Sequence, residues 1–167
     1  YKNHADAIKK DYKIGLKYVV NFSESVRGLS VGAPVEFRGK RVGEVTDIQL
    51  VYDKDQLKIT VPVAITIDYG RLTLKGNKET ESDIYDAHES RTDFFVKQGL
   101  RAQLQTGSLL TGQLFVAMDF FPDAPAFVMN WDAEIPEFPS QPGTIDDLKI
   151  HLSSILRKVD NMMTQVN

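Results

Sequence analysis

Short segments in which apolar and polar residues alternate, each bounded by turn residues, most strongly limit the fold of this chain. In Tyr12–Phe22, for example, Ile14, Leu16 and Tyr18 alternate with polar or small residues. A period of two residues is typical of a strand with one buried face. The other segments of this kind are Pro34–Arg38, Val42–Ile48, Leu57–Ile67, Leu100–Leu104 and Gln113–Phe121. Short strands at regular spacing predict a mainly β fold, either a small barrel or a sandwich.

Glycine and proline mark the points at which these strands should bend. Gly28, Gly32, Gly39 and Gly43 recur every few residues around the first short strands. Because glycine accepts positive φ angles and lets strands bend sharply, we interpret these four as structural corner positions. Pro62 lies within the fourth alternating segment and has no amide to donate, so we expect it at a sheet edge or at a bulge.

Length and charge exclude several classes of protein. The chain has 167 residues, enough for one domain with an appendage, and a formal net charge of -3. That balance argues against a nucleic-acid partner, because such proteins need a basic face to neutralise phosphates. No apolar run approaches the roughly 18 residues that cross a bilayer, and no cysteine is present. Since the chain begins at Tyr1 without a starting methionine, we expect a fragment of a longer protein.

Three segments break the strand pattern. Tyr69–Arg91 is polar and scattered with acidic residues, and we interpret it as an inserted surface loop or a short helix. Thr92–Gly99 resembles a helical turn that ends at its glycine. Pro122–Pro142 holds five of the seven prolines without a clear period, which indicates a connector. We expect a β domain over 12–122 with its insertion at about 69–91, a connector over 123–143 and a helix over 144–167.

The C-terminal segment gives the clearest local pattern. Thr144 can cap a helix whose first turn carries Asp146 and Asp147. Apolar residues then follow at alternating spacings of three and four, which is the a/d seam of a coiled coil. The seam consists of Ile145, Leu148, Leu152, Ile155, Val159, Met162 and Val166. Leu156 and Met163 widen it, which favours more than two helices or packing back onto the β domain.

The chain offers no arrangement of residues that predicts catalysis. His4, His88 and His151 lie in a terminal segment, a polar loop and a charged helix face, and none is spaced with another metal ligand. The acidic residues of 69–91 are typical of a solvated surface rather than of a catalytic cleft. Ser108 lacks both a nucleophile-elbow context and a base. We predict a protein that is not an enzyme and binds neither metal nor cofactor.

Leu109 and Leu110 are adjacent leucines in a loop, 106–112, that otherwise consists of threonine, glycine and serine. Neighbouring residues of a strand point to opposite faces, so two adjacent leucines cannot both enter one core. Either the loop folds back and buries one of them, or it leaves an apolar surface for a ligand, a partner subunit or a pore. The local sequence does not decide between these two interpretations.

Two parts of the chain together resemble the MCE domain family. Val26–Val45, with its regularly placed glycines, resembles the first half of that domain. Gly99–Leu104 and Gly107–Gln113, which include the two adjacent leucines, resemble its second half. The polar insertion and the Pro-rich exit into a helix most resemble the paraquat-inducible protein B branch, whose members carry several MCE domains in tandem. On that resemblance, the chain is the last MCE domain with the start of a long helix.

The resemblance implies a small seven-stranded β-barrel in homohexameric rings with a central pore. Such rings carry phospholipids between the inner and outer membranes of Gram-negative bacteria. It places the chain in the periplasm, anchored to the inner membrane and near an inner-membrane partner protein. The pore-lining loop would comprise Ser108, Leu109, Leu110 and Thr111, with Leu114 beside it, and the helix would join five others in a hollow bundle. The alternative function is a structural or adhesion module that transports nothing and docks partners through barrel and helix.

Overall fold

The structure is a computed structural model that describes residues 15–72, 75–76, 83 and 86–164, with the backbone alone for 144–153. The strands are β1 (Leu16–Asn21), β2 (Pro34–Phe37), β3 (Lys40–Ile48), β4 (Val51–Asp53), β5 (Lys58–Thr60), β6 (Pro62–Ile67), β7 (Leu100–Ser108) and β8 (Gln113–Phe120). A 3-10 helix spans Tyr69–Arg71, and the α-helices are α1 (His88–Lys97) and α2 (Thr144–Thr164).

Six of the strands form one curled sheet, in the order β1-β6-β3-β2-β8-β7, while β4 and β5 pair in a separate hairpin. Neighbours in the sheet are antiparallel except β2 and β8, which are parallel. The predicted mainly β fold with a C-terminal helix is confirmed. The expected count of seven strands is not: the described residues contain eight, six of them in the main sheet.

Strand directions give the sheet two distinct ends. The turn between β7 and β8 lies at one end, which we call the loop end, together with the end of β3 and the start of β6. Leu100 and Phe120 face each other at the opposite end, which we call the base end. Phe37 of β2 and Ile67 of β6 also lie there. Since α1 leads directly into β7, it lies at the base end as well.

Residues 136–141, here called the closing segment, bridge the two edges of the sheet. At the β1 edge, the amide of Val19 donates to the carbonyl of Pro136 at 3.1 Å. The carbonyl of Val19 in turn accepts from the amide of Phe138 at 2.8 Å. The Phe138 ring is buried in the core, edge-on to Tyr18 with 5.6 Å between centroids.

The closing segment bonds to the β7 edge in the same way. Ala102 donates to the carbonyl of Pro139 at 3.0 Å and accepts from the amide of Gln141 at 2.8 Å. Because proline accepts but cannot donate, these contacts form isolated bridges rather than a regular seventh strand. The ring of hydrogen-bonded neighbours is nevertheless complete, so this part of the expected connector also closes the β domain.

The core is built from alternate residues of the strands, as the period of two predicts. Its members with almost no exposed surface are Tyr18, Val20, Val35, Val45, Val63, Ile65, Val96, Val116 and Phe138. Because these side chains fill the interior of the curled sheet, other residues are exposed at its two ends.

The alternating segment Leu57–Ile67 is not one strand. It divides at Val61 into β5, which pairs with β4, and β6, which lies inside the main sheet between β1 and β3. Pro62 is the first residue of β6, a position where the missing donor costs little. The bulge lies in the facing strand β3, between Val45 and Asp47. Pro62 therefore lies at the start of an inner strand, and the expectation that it lies at a sheet edge or a bulge is wrong.

The four corner glycines have the backbone roles expected of them. Gly28, Gly32 and Gly39 have φ angles of 92°, 89° and 84°, where a side chain is strained. Gly43 lies so close to β6 that a Cβ would be 1.8 Å from the carbonyl oxygen of Thr66. Strand β3 can approach its neighbour there only because this residue has no side chain.

Helix α1 confirms the predicted helical turn and extends it toward the N-terminus. It spans His88–Lys97 and is followed by Gly99, whose φ is 99°. Arg101, just inside β7, is almost fully buried and donates to the carbonyls of Leu100 and Val96, the latter in the last turn of α1. Tyr69, the first residue of the expected surface insertion, is buried in the core.

Candidate functional site

Leu109 and Leu110 form the tip of the hairpin between β7 and β8. Their side chains are 94% and 100% exposed. The folded-back alternative, in which the loop buries one of them within the chain, is therefore not observed. The two leucines project from the loop end as an apolar tip, and contiguous exposed apolar surface is typical of sites that a ligand, a membrane or another protein covers.

Backbone bonds hold this tip in a defined turn. The amide of Gly112 donates to the carbonyl of Ser108 at 2.9 Å, and Gly112 has a φ of 69°. The amide of Thr111 lies 3.4 Å from the Ser108 hydroxyl, and that of Gln113 lies 3.4 Å from the Thr111 hydroxyl. Ser108 and Thr111 thus shape the turn, while the leucines between them remain free of the core.

Leu114 differs from the other residues expected in the loop. It is partly buried and packs against the core, and its amide donates to the carbonyl of Gly28 at 2.9 Å. The structure therefore does not bring Leu114 together with Leu109 and Leu110 at the exposed tip. Its side chain anchors the base of the hairpin, because it points toward the core that the tip leaves.

Helix α2 presents the described part of its apolar seam to solvent. The exposed members are Ile155, Leu156, Val159, Met162 and Met163. The other predicted seam residues cannot be compared in this way. For Ile145, Leu148 and Leu152 only the backbone is described, and Val166 lies outside the described residues. The chain enters α2 from the closing segment, which runs parallel to β7 toward the loop end. An apolar stripe left in water is typical of a helix that associates with others.

A second exposed apolar surface lies on the β4–β5 hairpin, which we call the arm. Leu50 and Leu57 are 75% and 77% exposed, and Tyr52 and Ile59, which face each other across the two strands, are also exposed. The arm joins β3 to β6 at the loop end. In the main sheet, β2 lies between β3 and the β7–β8 hairpin. Sequence reasoning missed it, because Leu57–Ile67 reads as one continuous strand. The turn-forming Asp53, whose carboxylate accepts two backbone amides, was the available signal.

The histidine and acidic side chains of the described residues bear on the predicted absence of a metal site. No three His, Asp or Glu side chains among them come together as metal ligands. His88 lies in α1 against the ring of Trp131, with 5.8 Å between centroids. In the part of the chain that the structure describes, no helix is long and apolar enough to cross a bilayer. The described surface instead has exposed apolar side chains at the hairpin tip, on the arm and on α2.

The family model described as MlaD protein matches residues 15–121 of this chain, more than half of its length. Among solved structures, a chain of the Acinetobacter MlaFEDB complex, in an ATP-bound conformation called Vtrans1, is 19% identical with a TM-score of 0.42. That similarity covers 83% of this chain and 81% of the other. The family match includes both the glycine-rich turns and the Leu109–Leu110 hairpin, and it ends before the closing segment. The chain therefore belongs to the MlaD protein family, that of the MCE domain.

Proposed function

We propose that this chain is a non-enzymatic subunit of a phospholipid-carrying assembly of the bacterial envelope. The observation that carries the proposal is the tip of the β7–β8 hairpin, where Leu109 and Leu110 stand fully in water. If copies gather around an axis with their tips inward, the leucines form an apolar collar. Acyl chains inside such a collar stay away from water, at roughly 0.8 kcal/mol per buried methylene. The protein supplies a path, and no bond is made or broken.

We propose the finer features of this assembly from the resemblance to the MCE domain family. The assembly is a periplasmic homohexameric ring, anchored to the inner membrane by a segment outside this chain and docked on an inner-membrane partner protein. Within the family, the chain corresponds to the last MCE domain of a paraquat-inducible protein B branch member. Residues 12–122 form its barrel domain, 123–143 its connector and 144–167 its helix. The exposed seam at Ile155, Val159 and Met162 supports packing of α2 with the helices of other copies.

The test uses the full-length parent, purified from membranes, and measures co-purified phospholipid by mass spectrometry. Leu109→Asp with Leu110→Asp should reduce bound lipid several-fold, because charge at the collar disfavours acyl chains. The matched control is Leu50→Asp with Leu57→Asp, which adds the same charge to two leucines on the arm that are 75% and 77% exposed. Equal lipid content in the wild-type protein and the Leu109/Leu110 variant would rule the collar out.

A second candidate function is a docking module that transports nothing, and the exposed arm favours it. The same two variants separate the functions when co-purified proteins and the mass of the assembly are measured beside the phospholipid content. If the arm variant loses partners or assembly while the Leu109/Leu110 variant behaves as wild type, docking is the main role of the domain.

A further inference from the structure

A second apolar site lies at the base end, opposite the exposed leucines. It is a cavity of about 330 Å³ among the ends of β2, β6, β7 and β8. Its apolar lining includes Phe37, Val42, Leu100, Met118, Phe120 and Phe138. A cavity with such a wall holds water poorly and favours an apolar occupant.

The few polar groups at the wall already have partners. The hydroxyls of Tyr69 and Thr92 lie 2.9 Å apart, and both lie 3.4 Å from the hydroxyl of buried Tyr18. Asp68 accepts from the amide of Gly70 and from Nε of Arg71, at 3.0 and 3.2 Å. Because these groups bond one another, an occupant gains little by offering hydrogen bonds, and apolar contact decides what is bound.

A row of aromatic rings leads from the surface of α1 to this cavity. Phe94 and Phe95 lie edge to face with 5.8 Å between centroids, and Phe95 contacts Phe120 in the same way at 6.1 Å. Phe120 continues to Phe37 at 5.9 Å. Phe94 and Phe95 are exposed, and Phe95 also lines the cavity together with Phe37 and Phe120, so these rings connect the surface of α1 with the cavity.

Charged groups near the mouth do not select the ligand. Arg38 stacks over Phe37 at 5.2 Å but is bonded to Asp119. Arg71 is bonded to Asp68. Since each guanidinium has a carboxylate beside it, the mouth has no net excess of positive charge from these pairs, and recognition rests on the apolar part of the ligand.

We propose that the base-end cavity binds one acyl chain of a lipid in each copy of the protein, separately from the Leu109–Leu110 collar. The inference rests on the proposed lipid function for the class of its ligand. The volume lies at the lower end of ligand pockets, roughly 300–1,000 Å³, so it fits one chain and not a whole two-chain phospholipid. The head group stays outside, in water.

The experiment titrates this 167-residue chain with a dansyl-labelled undecanoic acid and then displaces the probe with unlabelled C8–C16 fatty acids. We expect saturable binding whose affinity rises with chain length until the cavity is full. Val42→Phe fills the cavity and should weaken probe binding at least tenfold. Phe95→Asp, at a partly exposed position of α1, places a charge at the mouth and should weaken probe binding at least fivefold.

The control variant is Leu109→Asp with Leu110→Asp, which changes the opposite end and should bind the probe as wild type does. The absence of saturable binding by the wild-type chain, or unchanged binding by both cavity variants, would overturn the inference. Failure of the proposed function appears elsewhere, as unchanged phospholipid in the parent protein carrying the Leu109/Leu110 substitutions. The two ideas can therefore fail independently.

Discussion

The amide nitrogen of Leu114 lies 2.9 Å from the carbonyl oxygen of Gly28, to which it donates a hydrogen bond. This bond ties the base of the leucine hairpin to the first glycine-rich turn. A Cβ at position 28 would lie 2.2 Å from the carbonyl oxygen of Gly112, inside the same hairpin. The direction in which Leu109 and Leu110 project thus depends on a residue far from them in sequence.

Gly28→Ala should destabilise the protein by about 2–4 kcal/mol, because it combines positive-φ strain with a backbone clash. The matched control is Gly32→Ala, since Gly32 has nearly the same φ but nothing within 4 Å of its Cβ position. That variant should cost only about 1 kcal/mol. Urea denaturation measures both free energies of unfolding. Equal losses in the two variants would show that the contact with Gly112 is unimportant.

Arg101→Met should cost about 3 kcal/mol. The guanidinium is buried and donates to the carbonyls of Val96, Leu100 and Pro125, at 2.9, 2.8 and 2.6 Å. Burial lowers the pKa of Arg101. Its loss leaves buried carbonyls without donors. Arg38→Met, which removes an exposed ion pair, should cost about 0–1 kcal/mol when measured in parallel by thermal unfolding. A small effect at Arg101 would contradict its role in joining α1 to β7.

Stability should fall at alkaline pH because of Tyr18. Burial, followed by the nearby Tyr69, raises the pKa of Tyr18 well above its ordinary value. A folded pKa above the unfolded one means that the unfolded chain loses its proton first. Stability is therefore complete below about pH 10 and falls above it, by about 1.4 kcal/mol per pH unit. Tyr18→Phe should flatten this slope and exposed Tyr52→Phe should keep it; identical slopes in the two variants would refute the assignment.

Removal of residues 136–167 should leave the edges of β1 and β7 without partners and remove Phe138 from the core. Open strand edges pair with other chains, so we expect aggregation and a lowered melting temperature. Removal of 144–167 alone is the control, because it keeps the closing segment. Calorimetry and size-exclusion chromatography compare the two fragments. Similar melting temperatures would show that the bridges at Val19 and Ala102 add little.

Ile155→Asp with Val159→Asp should prevent assembly of the full-length protein, because charge in an a/d seam opposes helix packing. The control variant is Ser154→Asp with Lys158→Asp, which introduces two aspartates one position earlier, outside the seam. Light scattering gives the mass of each assembly. A multimer of unchanged mass in the seam variant would remove α2 from the assembly interface.

Much of the sheet could be predicted from the sequence, because a strand with one buried face shows apolar residues at every second position. Tyr18, Val20, Val63 and Ile65 are buried as their alternation predicts. The same period could not show that Leu57–Ile67 changes partners at Val61, since pairing is made by backbone atoms and both halves alternate. The arm and its exposed leucines were missed for that reason.

The closing segment was hidden for a related reason. Its carbonyls at Pro136 and Pro139 and its amides at Phe138 and Gln141 make all the bridging bonds. Backbone pairing of this kind leaves no pattern in the side chains, and prolines suggest a linker rather than a strand. The leucine tip was partly predicted. The sequence showed that Leu109 and Leu110 were unusual, but only the hairpin geometry excluded the folded-back conformation.

The closing segment also determines when the β domain can finish folding. Among the described strands of this domain, β1 is synthesised first, but one neighbour of Val19 emerges only after β8 is complete. Contacts so distant in sequence form late, and until then the edge of β1 is open to other copies. If several identical chains gather as proposed, they can exchange closing segments with one another. The proposed assembly therefore requires each chain to close on itself before its neighbours arrive.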